Sequence, residues 1–235
     1  MQQYFIDKMV KVNDYYELDD ACKHHLIRVL RMRKDDCFYL VDSCNIRYLA
    51  VLIDENKAFI KEEIKHNSEM PIRVKIIQAF IKKDKFDYFL MKSCELGVDE
   101  IIPMTSARTI VKMDDIKANK LERWNKICFE ACCQSKRNKV VHVQPSITLK
   151  QCIEHKSELN LVAYEDLNFT SSKLRDVIKN QTSITLVIGP EGGFELSEIQ
   201  YLQDNGFISL GLGPRILRAE TASAYALSVV SGLCE

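Results

Sequence analysis

From Pro71 onward the chain alternates short apolar runs with amphipathic stretches, and this alternation limits the fold more than any other feature. Val74 to Phe80 reads as a buried strand and Asp99 to Pro103 as a short one. Val140 to Gln144, Leu161 to Tyr164, Ile184 to Ile188 and Phe207 to Gly211 read as further strands. Between them lie helical patterns. Asp84 is placed to cap a helix that turns Phe86, Phe89, Leu90 and Cys94 inward, and Gly97 to end it. Asp115 starts a long helix with Leu121, Trp124, Cys128, Ala131 and Ser135 at helical spacing. A last helix runs from Glu220 to Ser231, with Ala222, Ala226, Val229 and Val230 near one face and Gly232 as its stop. Apolar strands separated by helices imply an α/β fold, a parallel sheet covered on both faces.

The first 68 residues follow another pattern. Asp19 is placed to cap a short helix with Cys22, Leu26, Val29 and Leu30 on one face. Strand-like runs follow at Cys37 to Val41, Arg47 to Ile53 and Lys57 to Ile64, divided by the polar turns Asp35-Asp36 and Asp54-Glu55-Asn56. This predicts a small β-rich domain of barrel type over 1–68. The polar stretch Lys65 to Glu69, ahead of Pro71, is the linker to a second domain over 69–235.

With 46% hydrophobic and 28% charged residues the chain is globular in composition. A formal net charge of zero argues against coating nucleic acid by bulk charge. Local basic clusters do exist. Ala21 to Lys34 holds Lys23, Arg28, Arg31, Arg33 and Lys34 without an acid; Lys82, Lys83 and Lys85 form a second cluster, and Lys136, Arg137 and Lys139 a third. Any one is accounted for by a solvated face. Three in a neutral chain favour RNA contact, with Lys23, Arg28, Arg31, Arg33, Lys82, Lys85 and Arg137 as candidates. The nine cysteines are odd in number and contain no Cys-x-x-Cys pair. Cys128 and Cys132 lie one helical turn apart with no matched second pair, so no metal site is expected. Apolar runs are too short to span a bilayer, and Met1 to Val10 lacks the apolar run of a signal peptide, which predicts a cytoplasmic protein.

Ligands of open parallel sheets gather beyond the C-terminal ends of the strands. Two loops stand at such ends: Gly189-Pro190-Glu191-Gly192-Gly193-Phe194, and Gly211-Leu212-Gly213-Pro214-Arg215-Ile216-Leu217-Arg218. Together they hold five of the eight glycines, the residue that permits close backbone approach to a ligand. Neither loop is a phosphate-binding motif. Leu212, Ile216 and Leu217 supply apolar walls, which suits an adenine ring and a thioether better than a triphosphate.

The run Val187 to Phe194, followed by Leu210 to Ala222, closely resembles the knotted SPOUT-class methyltransferases, and within them the 16S ribosomal RNA uridine-N3 methyltransferases. The likeness extends along the chain through His24-His25-Leu26 with Val29-Leu30-Arg31, Lys92 with Glu95 to Val98, Ile102-Pro103, Arg123-Trp124, Glu130-Ala131, and Gln134-Ser135 with Arg137. Cys132-Cys133, Lys136 and the proline-free Asn138-Lys139-Val140 depart from the pattern. The resemblance implies a PUA-like N-terminal barrel, a C-terminal α/β domain with a deep trefoil knot, a homodimer, S-adenosylmethionine as methyl donor, and 16S rRNA or the small ribosomal subunit as partner. It also implies that Gly189, Pro190, Glu191, Gly192, Gly193, Leu210, Leu212, Gly213, Ile216, Leu217 and Ala222 hold the cofactor.

A uridine N3 carries a proton and becomes nucleophilic as that proton leaves, with charge spreading onto the flanking carbonyl oxygens. No histidine lies in either loop. Arg218 cannot act as a base but can stabilise an oxyanion. Glu220 or Glu191 can accept the proton, or hold the loops through backbone N–H groups. Arg218 and Glu220 are therefore the catalytic candidates. Two alternatives remain open at this point: another RNA methylation of the same class, on ribose 2′-O or guanosine, and a non-catalytic RNA-binding or ribosome-assembly module.

Overall fold

In a computed structural model, which describes residues 1–110, 118–164 and 172–235, the chain forms two compact units. The first comprises Met1–Glu69 and Cys132–Val140, the second Met70–Ala131 and Val141–Glu235.

Five strands build the sheet of the first unit: β1 (Gln3–Phe5), β2 (Tyr15–Glu17), β3 (Cys37–Val41), β4 (Arg47–Leu52) and β5 (Lys57–Glu63). Their order is β1-β3-β4-β5-β2, with β1 parallel to β3 and the other pairs antiparallel. Side chains two apart share a face, so Phe38 and Leu40, Ala50 and Leu52, and Ala58 and Ile60 enter one core with Leu26. Asp19 does cap α1 (Asp20–Lys23): its carboxylate accepts the Cys22 N–H at 2.8 Å. The single-faced helix expected beyond it is not observed. After one α turn the chain widens into a π-helical segment, His24–Val29, and the 3.6-residue period is lost. Leu26 is thereby fully buried while Val29 and Leu30 face solvent.

The Cys132–Val140 segment is fastened to this unit by polar groups. Gln3 Nε2 donates to the Arg137 carbonyl at 2.7 Å, and Arg47 donates to Asn138 Oδ1 at 2.9 Å and to the Lys136 carbonyl. The Arg137 guanidinium is paired with the Glu69 carboxylate.

The second unit carries seven strands: β6 (Arg73–Ala79), β7 (Glu100–Thr105), β8 (Ile147–Thr148), β9 (Leu159–Ala163), β10 (Ser172–Lys173), β11 (Ser183–Ile188) and β12 (Ile208–Gly211). All neighbouring strands are parallel, in the order β10-β12-β9-β11-β6-β7-β8. The helices are α2 (Lys83–Glu95), α3 (Ala118–Gln134), a 3₁₀ segment Leu149–His155, α4 (Leu174–Val177), α5 (Leu196–Asp204) and α6 (Ala219–Cys234). Ile77 and Ala79 of β6 and Val187 of β11 pack with Ile199 and Leu202 of α5 and with Leu149 and Cys152. Alternate residues of β6 face the other way, where Gln78 meets Ser223 of α6. Trp124 is core, 4.7 Å from the ring of Phe86 and stacked near Phe80.

Three expectations are corrected here. Val140 to Gln144 forms no strand among the described residues, only an isolated bridge from Val143 to Ile101. The Val143 N–H is taken by the Asn125 side chain at 2.8 Å instead of a ladder. Asp84 is not the cap of α2, which starts one residue earlier with Lys82 in the cap position. Asp84 sits in the first turn, where a carboxylate favours the helix dipole. Gly232 does not stop α6, which continues to Cys234. Gly97, by contrast, adopts φ +87° just past α2, as a C-terminal stop requires. The start assigned to Asp115 lies outside the described residues.

Candidate active site

β11 and β12 deliver their following loops to the same end of the parallel sheet, and the loops enclose a cavity of about 520 Å³. Its wall contains Gly189, Pro190, Glu191, Gly192 and Gly193 from the first loop, and Leu210, Leu212, Gly213, Ile216 and Leu217 from the second. Ala222 of α6 completes the set of residues singled out in the sequence, and Ile188, Ala163, Tyr164 and Arg108 add further wall. The Gly193 N–H donates to the Pro190 carbonyl at 2.9 Å, closing a tight turn with Gly193 at φ +68°. A Cβ on Gly189 would lie 3.0 Å from the Phe194 ring, so any other residue would push that ring back from the strand end by a few tenths of an ångström. Gly213, at φ +108°, serves a different need: a backbone conformation other residues rarely adopt.

Polar ties hold the first loop. Gln78, fully buried at the end of β6, donates to the Gly189 carbonyl at 3.3 Å and accepts from Ser223 at 2.7 Å. Glu191 accepts the Lys82 N–H at 3.1 Å and lies 3.6 Å from Lys85 Nζ. Burial pushes its carboxyl up, but that N–H, its own N–H and Lys85 outweigh burial and hold it below the ordinary carboxylate range. Its oxygens are already engaged by the Lys82 N–H and its own N–H, donors that Glu220 lacks on Oε2, which favours the loop-holding role for Glu191.

Glu220, in the first turn of α6, is buried among the same groups. Its Oε1 lies 3.9 Å from Lys85 Nζ, and its Oε2 has no hydrogen-bond partner among the described residues. Arg218 is the cap residue of α6 and is exposed. Leu217 and Ala219 on either side of it line the cavity, while Arg218 and Glu220 stand outside the wall.

The basic candidates divide. Arg28, Arg31 and Arg33 are exposed on the first unit, with Arg31 at φ +56° where the π-helical segment ends. Lys23 lies 3.9 Å from Asp20. Lys82 is exposed. Arg137 is corrected: only 2% exposed, with its guanidinium held on Glu69, it has no surface to offer a phosphate. Lys85 is corrected in part, because its ammonium is half-buried between two carboxylates. Cys128 and Cys132 are both buried, and burial pushes the Cys152 thiol up to about 12, the character of an inert core cysteine.

Sequence reasoning missed Arg108 and Glu198. Arg108 follows β7, donates to the Gly192 carbonyl at 3.0 Å and forms part of the cavity wall. Glu198 accepts the Ala107 N–H at 2.8 Å and the Glu195 N–H at 2.9 Å, tying the loop after β7 to the start of α5. The available signal was position: Arg108 also lies beyond the C-terminal end of a parallel strand.

Residues 68–231 match the family described as RNA methyltransferase domain, and residues 18–63 match RNA methyltransferase PUA domain. The chain is 34% identical to ribosomal RNA small subunit methyltransferase E of Bacillus subtilis, covering 98% of this chain and 96% of that protein. The protein of that name from Mesomycoplasma hyopneumoniae is 32% identical, over 97% of this chain and 98% of the relative. The structure most informative for the cavity is a ribosomal RNA small subunit methyltransferase E from Neisseria gonorrhoeae bound to S-adenosyl methionine. It superimposes with a TM-score of 0.89 at 31% identity, covering 99% of this chain and 98% of that one. With its family domain matched over most of its length and such relatives matched end to end, the chain belongs to the ribosomal RNA small subunit methyltransferase E family.

Proposed function

We propose that this protein methylates N3 of a uridine of 16S ribosomal RNA near the decoding site. As a member of its family it is an S-adenosylmethionine-dependent rRNA methyltransferase. The observation that supports the cofactor's place is the convergence of both glycine-bearing loops on one cavity. The residues fit the group. Ile188, Leu210, Leu212 and Leu217 offer apolar surface to an adenine ring and a thioether. The backbone N–H groups of Leu212, Gly213, Ile216 and Leu217 have no partner among the described residues and can recognise its polar edges. When bound, the sulfonium supplies an electrophilic methyl group, so the protein's task falls on the acceptor. Glu220 takes the N3 proton, and Arg218 stabilises the charge that spreads to a carbonyl oxygen.

The exposed Arg28, Arg31 and Arg33 of the first unit, with Lys23 and Lys82, contact RNA phosphates in this reading, and residues 1–68 form the PUA-like RNA-binding domain. The second domain carries the trefoil knot implied by the family resemblance, and the protein works as a cytoplasmic homodimer on the small ribosomal subunit. Light scattering at low micromolar concentration tests the dimer, and a monomer that still methylates RNA refutes it.

The deciding experiment incubates the protein with labelled S-adenosylmethionine and unmodified small-subunit particles, then maps the methyl group. A single labelled uridine, released as 3-methyluridine, is the expected result. A ribose 2′-O or guanosine methyl group assigns another reaction of the same class, and cofactor binding without transfer assigns a non-catalytic module.

A further inference from the structure

The geometry points to Lys85 as a positioning residue for methyl transfer: it acts through Glu220, and it is not an RNA-phosphate contact. This rests on the reading in which Glu220 accepts the acceptor proton.

Lys85 projects from α2, Glu191 from the loop after β11 and Glu220 from α6. Its Nζ lies 3.6 Å from Glu191 Oε1 and 3.9 Å from Glu220 Oε1. No other lysine or arginine among the described residues lies within 4.0 Å of the Glu220 carboxylate. The other charged groups nearby are already engaged or exposed. Arg175 and Asp176 on α4, which packs on α6, pair with each other at 3.6 Å, and Arg218, the cap residue of α6, is exposed.

A carboxylate taken out of water at 9% exposure needs a compensating cation or donors. Glu220 has one cation and no donor on Oε2 among the described residues. Lys85 therefore places its charge beside Oε1, and the buried Oε2 keeps its lone pairs unengaged among the described residues. The same ammonium ties the glycine loop to α6, next to the deeper tie through Gln78 and Ser223. A flexible lysine can span two carboxylates from a third element. Its charge is thus spent inside the site and is largely unavailable to a phosphate.

A double-mutant cycle with the full-length protein tests this. Single-turnover transfer from labelled S-adenosylmethionine to unmodified small-subunit particles is measured at saturating RNA. The proteins are the wild type, Lys85→Met, Lys85→Arg, Glu220→Gln and Lys85→Met/Glu220→Gln. Removing the tie should slow transfer by about 10²-fold, the low end for losing a general base. Lys85→Arg should recover most of the rate. Transfer is also measured at saturating S-adenosylmethionine, so that any loosening of the glycine loop that Lys85 ties does not enter the rate. In the Glu220→Gln background Lys85→Met should slow transfer by no more than about twofold, since coupled residues are non-additive.

Equal losses in both backgrounds overturn the inference. So does a full single-turnover rate for Lys85→Met with a raised RNA half-saturation and a shallower salt dependence, the signature of a phosphate contact. If Lys85→Met does not fold, Lys85→Gln takes its place in the same cycle. Digesting the wild-type product to nucleosides separates the two claims: a methylated nucleoside other than 3-methyluridine refutes the uridine reading, while the cycle still reports on the tie.

Discussion

Replacing Arg137 with methionine should destabilise the protein and leave its electrostatic grip on RNA untouched. The Arg137 side chain is 3% exposed and that of its partner Glu69 is 20% exposed. Breaking a buried pair by removing one member costs about 3–5 kcal/mol. The lower end applies here, because Glu69 keeps the Asn138 and Lys139 N–H donors at 2.8 and 3.2 Å. Methionine fills much of the vacated volume without a second penalty. About 3 kcal/mol at roughly 2–4 °C per kcal/mol, the range for chains of this size, lowers the melting temperature by about 6–12 °C. Calorimetric or fluorescence melting measures that shift. The salt dependence of RNA binding, measured well below the transition, should keep the wild-type slope. Adding Glu69→Gln to Arg137→Met should restore part of the loss, because the uncompensated charge is then gone. A melting temperature within about 2 °C of wild type, together with a salt slope reduced by about one, would return Arg137 to the RNA surface.

Gly213→Val places a β-branched residue at φ +108°. At about 1–3 kcal/mol of strain it should weaken S-adenosylmethionine binding by tenfold or more in calorimetry on the folded variant, and unchanged affinity refutes the cavity as the cofactor site. Neutralising Arg31 and Arg33 together should weaken RNA binding across sequences and flatten its salt slope by roughly one per lost phosphate contact. An unchanged slope makes them a solvated face. Arg218→Ala should bind cofactor within a few-fold yet transfer methyl about 10²–10³-fold more slowly in single turnover, with only partial rescue by lysine. A normal rate with weakened RNA affinity makes Arg218 a phosphate clamp instead.

What could be read from the sequence was whatever depends on local pattern. Ile184 to Ile188 is apolar at every position but Thr185, so burial on both faces was legible without knowing its neighbours. The two loops were legible because glycine suits local needs there, a close ring at Gly189 and a positive φ at Gly213. Val140 to Gln144 shows where pattern fails. It has strand composition, yet the side chain of Asn125, some eighteen residues earlier, takes the N–H a ladder would have used. The π-helical widening at His24–Val29 likewise leaves no mark in a pattern assumed to repeat every 3.6 residues.

Charge was the least legible property, because composition does not say whom a cation faces. Lys82, Lys83 and Lys85 look alike in the sequence, as do Lys136, Arg137 and Lys139. In the fold, Lys82 gives its backbone N–H to Glu191 while its side chain stays in water, and Lys85 gives its ammonium to two carboxylates. Arg137 closes on Glu69, which lies 68 residues away in the chain. The carboxylate partners sit in separate parts of the sequence, and only the fold brings them to the cation. Of the arginines in the Ala21 to Lys34 cluster, Arg28, Arg31 and Arg33 all stay in solvent, at the π-helical segment and the turn after it. In a chain of zero net charge a few free arginines can still hold RNA by phosphate contact, because the salt-dependent term counts phosphates neutralised and not the protein's total charge. The cations withdrawn into the fold fix acidic groups instead: Lys85 faces Glu191 of the loop after β11 and Glu220 of α6, and Arg137 closes on Glu69.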